Sequence, residues 1–444
     1  MREPIDPISQ APRAALVSFR LPAPTVSLAS FLRLPLPGEA LLWRGRGEDA
    51  IAARGAVARL DLEAGESLAS LGPRAAWSAE VDRRTLDPST AHADEPGSEP
   101  GLRWYGGAAF APGASGDEWR GFGAASFVLP RLAYEPGPGG VSWLRLNLRA
   151  DEMGEVASWL DRLATVLLTL AHAVPGAGDS QGRVLREHGD DYERTVARAV
   201  GAIEAGVAEK IVAARALEVA VEGDVLTPIE RLDDDALVSF VFGRDDALFF
   251  GATPERLVRL DGRTVRTEAL AGSIAADEPA AGDRLLASTK DAHEHHLVVG
   301  AIVSALGPLC DSLTAAASPG LRRLRHLLHL VTPIEGQTSA RHVLELVTAL
   351  HPTPAVGGLP RESALAWLAA NEGLDRGWYA GPVGWFDARG QGSFAVALRS
   401  ALRRGELTRV FAGAGLVRGS TPESERRETA VKARAMLAAL GVTS

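Results

Sequence analysis

Short alternating apolar segments follow one another across tight turns in this chain, and its helical segments fall in blocks between them. A doubly wound parallel sheet would need a helix after nearly every strand, so this order favours an α+β fold with large antiparallel sheets. In the first part, residues 15–19, 124–129 and 141–148 read as strands, and the apolar spacing over 155–173 predicts a helix. Residues 192–210 read as a second helix, and the β-branched, alternating stretch 211–221 as a strand. Hairpins are expected at 238–242 with 247–251, and at 257–260 with 264–268, where Asp261-Gly262 suits the positive φ of a tight turn. Helices over 280–307, 340–350 and 360–372 come next, then a meander through 381–386, 393–402 and 407–412, then a closing helix over 422–440. Residues 1–12 read as frayed and 83–101 as an exposed loop. The Gly- and Pro-containing stretch 173–190 is the best candidate boundary, dividing a half 1–190 from a half 191–444.

Composition narrows the class. With 444 residues, 46% of them hydrophobic, the chain can build a core and can form one large or two to three ordinary domains. A formal net charge of −9 argues against a general nucleic-acid or anionic-membrane binder. The single cysteine, Cys310, excludes an internal disulfide framework and a cysteine-based zinc site. No apolar run has the length of a membrane helix and the first residues lack the apolar core of a signal peptide, so a cytoplasmic protein is expected. There is no P-loop and no GxSxG elbow, and Gly413-Ala-Gly415-Leu-Val-Arg-Gly419 lacks the dinucleotide-binding spacing. His293-Glu294-His295-His296 lacks the HExxH spacing, and adjacent helical residues point about 100° apart, so these histidines cannot share one ion.

Several side chains have two readings. Glu425 and Glu428, i,i+3 on the last helix, either complement its dipole or offer oxygens to a hard cation such as Mg²⁺. Glu294, on another helix, either pairs with Lys290 at i,i+4 on a solvated face or joins that cation set. In 393–400, Phe394, Val396 and Leu398 fall on one strand face and Ala395, Ala397 and Arg399 on the other. The alanines leave room beside Arg399 for a carboxylate, the alternative being an Arg on a solvent face. Gly413 and Gly415 either form an ordinary strand-to-loop turn or let a ligand reach the backbone. Lys210 either favours a helix C-terminus or serves as a base in a dry pocket, and Glu255 is either a loop carboxylate or an active-site group at a strand end.

Taken together, KIVAAR (210–215), GATPERL (251–257), TEALAGS (267–273), STKDAHEH (288–295), HLVTPIEG (329–336), HPTPAVGGLP (351–360), 378–401 and 411–433 resemble the chorismate-utilising enzymes, in that family's order and over nearly all of 200–444. RWYGGAAF (103–110) and FVLPR (127–131) resemble its isochorismate synthases of menaquinone and siderophore pathways. The resemblance implies one large domain of two packed antiparallel sheets with helices outside, uniting the two halves, and a Mg²⁺-dependent reaction on chorismate. It implies Glu294 and Glu428 as Mg²⁺ ligands with Glu425 in support, Lys210 as the base that activates water for attack at C2, and Glu255 as the acid that protonates the departing C4 hydroxyl. It further implies that Arg399 and Tyr379 hold the enolpyruvyl carboxylate, that Gly272, Gly413 and Gly415 present backbone to the substrate, that Lys432 lies near the cation-bound carboxylate, and that His329 is a pocket histidine. His351 opens a matching motif without a chemical role.

Within the family, Glu335 stands in PIEG where members with a lysine nucleophile have PIKG, and Lys210 stands where ammonia-using members have Gln. Water is therefore the expected nucleophile, with no glutaminase subunit and a monomer expected. Ala355 stands where salicylate synthases tend to have Thr. The expectation is an isomerase of the isochorismate synthase, hydroxymutase, type. The alternatives are a salicylate synthase, which also eliminates pyruvate, and a non-catalytic chorismate-binding relative.

Overall fold

The structure, a computed structural model, describes residues 14–442 apart from 48–49, 64, 86–100, 112–115, 138–139, 173–179, 189–190, 225, 233–236 and 326. The expected frayed segment 1–12 and most of the expected loop 83–101 lie outside the described residues. So do both ends of the boundary 173–190, whose middle, Ser180–His188, is a strand paired along Lys210–Gly223.

The strands form one hydrogen-bonded network that forks. A first limb runs through Val81–Thr85, Leu16–Ala23, Ser142–Arg149, Ala125–Pro136, Ala50–Asp61, Ala40–Arg44, Val238–Arg244, Ala247–Thr253, Ser400–Arg404, Leu407–Leu416, Lys210–Gly223 and Ser180–His188. A second limb leaves Ala125–Pro136 through Arg103–Ala108 and continues through Pro382–Asp387, Gly392–Val396, Arg256–Asp261, Thr264–Ala275 and Leu327–Thr338. Only Leu16–Ala23 with Val81–Thr85 is a parallel pair among these ladders. The fork is possible because Ala125–Pro136 is long: its start pairs with Arg103–Ala108 and its end with Ser142–Arg149.

The inner faces of the two limbs pack on each other through one large core, and the antiparallel layers expected for an α+β domain are both present. At its centre Trp119, Phe122, Phe249 and Trp378 meet edge to face, with Phe122 and Trp378 centroids 5.1 Å apart. Helices Leu28–Leu32, Val156–His172, Thr227–Arg231 and Pro422–Ala439 cover the outer face of the first limb. Thr289–Leu306 lies on Thr264–Ala275, and Val343–Leu350 on Arg256–Asp261. Among the described residues, no helix is long and apolar enough to cross a membrane.

Two chain segments change limbs side by side. Ala247–Thr253 belongs to the first and Arg256–Asp261 to the second, so Pro254 and Glu255 sit at a crossing. Gly392–Val396 belongs to the second and Ser400–Arg404 to the first, so 397–399 form the return crossing. This corrects the single strand expected over 393–402. Arg399 adopts φ +46°, which breaks the alternation, so the two faces assigned from spacing do not exist beyond Val396. The helix expected over 192–210 stops at Glu204, and Lys210 opens the next strand. Leu407–Leu416 is continuous, so Gly413 and Gly415 lie inside a strand and not in a turn. In the 257–268 hairpin Asp261 pairs with Thr264, which makes Gly262, φ +60°, and Arg263 the two loop residues.

Trp378 is fully buried where the two limbs meet, so Trp378→Ala is expected to cost about 3–5 kcal/mol. Leu168→Ala, at a position 63% exposed, is expected to cost under about 0.5 kcal/mol. Urea unfolding of the two variants checks the contrast.

Candidate active site

A pocket opens between the two limbs beside the crossings. Its walls come from the start of Lys210–Gly223, the crossing at Pro254-Glu255, the bulge at Gly272, helix Thr289–Leu306, the loop at Ala355-Val356, Tyr379, Arg399, the end of Leu407–Leu416, and helix Pro422–Ala439. Of the twelve expected site residues it brings together eleven. Glu425 is the exception, buried one helical turn behind Glu428.

Lys210 is buried and its Nζ donates to Glu294 Oε1 at 2.8 Å. The strand that carries Gly415 runs beside Lys210–Gly223, and a Cβ at Gly415 would come within 2.7 Å of Glu294 Oε1 and 2.9 Å of Lys210 Cε. At Gly413 a Cβ would meet the Tyr379 hydroxyl at 3.0 Å. These glycines make room for functional side chains, a reason that strand spacing does not display. Gly272 has φ +78° at a register shift in the Thr264–Ala275 ladder, and a Cβ there would press on Asp291.

Glu255 is buried at its crossing. Its amide donates to Thr253 Oγ1, and its carbonyl accepts from Val396 N–H at 3.0 Å. Burial, reinforced by the like charge of Glu268, pushes its carboxyl up to about 7. Burial also pushes the Glu294 carboxyl up, but the Lys210, Lys432 and Lys290 charges outweigh it and hold that group below the usual range.

Arg399 donates from Nη2 to His329 Nε2 at 3.3 Å, so His329 carries its proton on Nδ1 and donates it to Ser273 Oγ at 2.8 Å. Burial and the Arg399 charge hold His329 well below its ordinary range, which keeps it neutral. Tyr379 stacks on Phe411 with ring centroids 4.9 Å apart, and burial pushes its hydroxyl up, so it stays a donor.

Three carboxylates, Glu294, Glu425 and Glu428, are each held by a lysine. Lys210 holds the first, Lys290 approaches Glu425 at 3.5 Å, and Lys432 reaches Glu428 at 2.7 Å and donates to Gly413 O. Among the described residues, no three acidic or imidazole groups already surround one point closely enough for an ion. The donor set nonetheless fits a hard divalent cation. Glu425 Oε2 is buried without a hydrogen-bond partner, and burial and the Glu428 charge push that carboxyl up, the state that a nearby cation relieves. The histidine tract gives no second metal site: His295 is buried between Ala271 O and Thr332 Oγ1.

Residues 4–441 match a family described as chorismate binding enzyme. The chain belongs to that family. A salicylate biosynthesis isochorismate synthase of Pseudomonas aeruginosa is 46% identical over 276 residues, which cover 60% of this chain and 58% of that protein. The isochorismate synthase MenF of Bacillus subtilis is 39% identical over 262 residues, covering 57% and 56%. The matched stretch thus spans less than three fifths of either relative. The solved structure of the menaquinone-specific isochorismate synthase MenF of Escherichia coli superposes with a TM-score of 0.78 at 28% identity, over 98% of this chain and 97% of that one. Anthranilate synthase component I of Streptococcus pneumoniae shares the fold, with a TM-score of 0.69 at 19% identity over 93% of this chain and 97% of that one.

The pocket holds Ala355 in its wall, while Glu335 is exposed, pairs with Arg266 and is not among the lining residues. Sequence reasoning missed Lys290, Asp291, Ser273 and Arg376 as lining residues. Arg376, in the loop after helix Arg361–Asn371, pairs with Glu372 and, buried, also donates to Val212 O and Val356 O.

A carboxyl raised from 4.5 to about 7 loses about 3 kcal/mol of folding free energy when it ionises in place. The penalty is absent below the unfolded value, grows as pH rises, and is complete above the folded value. Glu255→Gln is therefore expected to be more stable than the parent by up to about 3 kcal/mol near pH 8, with the gap closing below about pH 4.5. Unfolding midpoints measured across that range test the sign.

Proposed function

We propose that the chain is an isochorismate synthase, isomerising chorismate to isochorismate with Mg²⁺. The observation that carries the reading is one pocket holding Lys210 together with Glu255, a carboxyl raised to about 7, beside the neutral His329 and Arg399. The reaction needs this pair. Water adds at ring C2, the C4 hydroxyl leaves as water, and the ring double bonds shift between them. Lys210 takes a proton from the attacking water, and Glu255 gives one to the departing hydroxyl. The base role requires Lys210 to be free of the proton it shares with Glu294, so Glu294 must find another partner in the working enzyme.

Glu294 and Glu428, with Glu425 behind them, would hold the cation. When bound, Mg²⁺ offsets the ring carboxylate of the substrate and keeps oxygen ligands around it. Arg399, oriented by His329, and Tyr379 would hold the enolpyruvyl carboxylate, the guanidinium in bidentate fashion. Gly272, Gly413 and Gly415 line the walls and would present backbone to the substrate, and Lys432 adds a positive charge beside Gly413. The names of the relatives support the reading. With water as nucleophile, no ammonia-supplying subunit is required.

Purified protein given chorismate and Mg²⁺ is expected to yield isochorismate, resolved by chromatography, with the activity lost to EDTA. Lys210→Ala and Glu255→Gln are each expected to lower kcat by about 10²- to 10⁴-fold while the fold is kept. Salicylate with pyruvate as the main products would replace this reading by a salicylate synthase. Chorismate binding without turnover would replace it by a non-catalytic relative.

A further inference from the structure

Behind Glu255 lies a buried charge cluster that the reaction as described does not use. Glu268, from Thr264–Ala275, accepts from two arginines at once. Arg46 Nη2 reaches its two oxygens at 2.8 and 2.9 Å, and Arg322 reaches them at 2.5 and 2.8 Å. Burial pushes the Glu268 carboxyl up, but the arginines outweigh it and hold it below the usual range, so it remains an anion. The three residues come from three places: the turn after Ala40–Arg44, the Thr264–Ala275 strand, and the short strand Gly320–Arg323.

Both neighbours of Glu255 are tied to this cluster. Arg322 Nη1 donates to Pro254 O at 3.2 Å, and Arg256 Nη2 donates to Arg46 O at 3.3 Å. The residue at the crossing is thus gripped on either side through the pair of arginines that Glu268 holds together. We propose that Glu268, clamped by Arg46 and Arg322, is a positioning residue that fixes the place and the charge surroundings of Glu255. The proposal rests on the acid role given to Glu255 above.

The charged and titratable groups around Glu255 are Glu268, Lys210, Lys432 and Arg322, with Tyr379, His329 and Arg399 lining the same pocket. Glu268 opposes ionisation of Glu255, whereas Lys210, Lys432 and Arg322 favour it. Removing the Glu268 charge leaves two arginines uncompensated and makes ionisation easier. Removing Arg46 does the reverse.

The test reads Glu255 directly. The infrared band of its protonated carboxyl, assigned by its absence in Glu255→Gln, is titrated in the full chain without substrate. In Glu268→Gln the midpoint is expected to fall by about one pH unit, and in Arg46→Met to rise. Glu268→Asp, which keeps the charge, is expected to restore the parent midpoint. An unmoved midpoint in both charge-changing variants overturns the proposal, and if Glu268→Gln fails to fold, Arg46→Met alone decides. The alkaline limb of kcat is followed in parallel and is expected to move with the band. A band that moves while the limb stays, or a fully active Glu255→Gln, overturns the acid role and leaves the grip of Glu268 on Glu255 standing.

Discussion

Two segments leave one sheet and enter the other side by side, and the backbone groups that lose their ladder partners at the crossing have to find each other. They do so locally. Thr253 Oγ1 donates to Val396 O, Val396 N–H to Glu255 O, Ala252 N–H to Arg399 O, and Ala380 N–H to Ala397 O. A buried amide or carbonyl left without a partner costs about as much as a lost hydrogen bond, so this set is close to obligatory once the sheets fork. Its consequence is functional. Glu255 and Arg399, one on each crossing, both line the pocket, with Pro254 and Leu398 beside them. The positive φ of Arg399 belongs to the same constraint: the residue sits where the strand has stopped alternating and must turn toward the other limb.

The pocket is then a matter of charge held at low dielectric. Lys210–Glu294 and Lys290–Glu425 pair between elements, and Lys432–Glu428 pairs along helix Pro422–Ala439. The pairing matters most for Lys210 and Glu425, the two partners that are almost fully buried. The balance is incomplete in two places: among the described residues Glu255 has no ion-pair partner, and Glu425 keeps one buried oxygen bare. Both carboxyls are pushed up by that shortfall. A carboxyl that holds its proton near neutral pH and a carboxylate with one bare oxygen are what the departing hydroxyl and the divalent ion of the proposed reaction would engage.

Much of this was legible in the sequence, and the failures share a cause. The hairpins at 238–253 and 256–268 were readable because pleat alternation and turn residues are local signals. Lys210, Glu255, Glu294 and Glu428 were identified through motif resemblance, and the structure gathers them in one pocket. What failed was 393–402, where period-2 spacing continued through a point at which the chain changes sheets. Nothing local marks such a point, since the bonds that enforce it come from residues such as Ala252 and Ala380, distant in sequence. Of the two readings of Gly413 and Gly415, the strand-to-loop turn fails. They stay in a strand through the ladder with Lys210–Gly223, and they are glycines because Tyr379, Glu294 and Lys210 occupy the volume where Cβ atoms would be. Lys290 and Arg376 went unseen because their helical and loop settings explain a charged residue without any pocket.

The net charge of −9 and the anionic substrate proposed for the site are compatible for a physical reason. Long-range charge is screened within about 10 Å in ordinary salt, whereas charges inside a closed pocket are not. What an anion meets on entering is Lys210, Lys290, Lys432 and Arg399, and three of these four are already occupied by glutamates of the chain. A dianion alone would have to compete with those carboxylates for the lysines. A divalent cation arriving with it changes the exchange, because the carboxylates gain a partner as the lysines are released. The sheets fix where these groups stand, and on the function proposed an exchange of partners among them would favour a carboxylate that arrives with a metal ion.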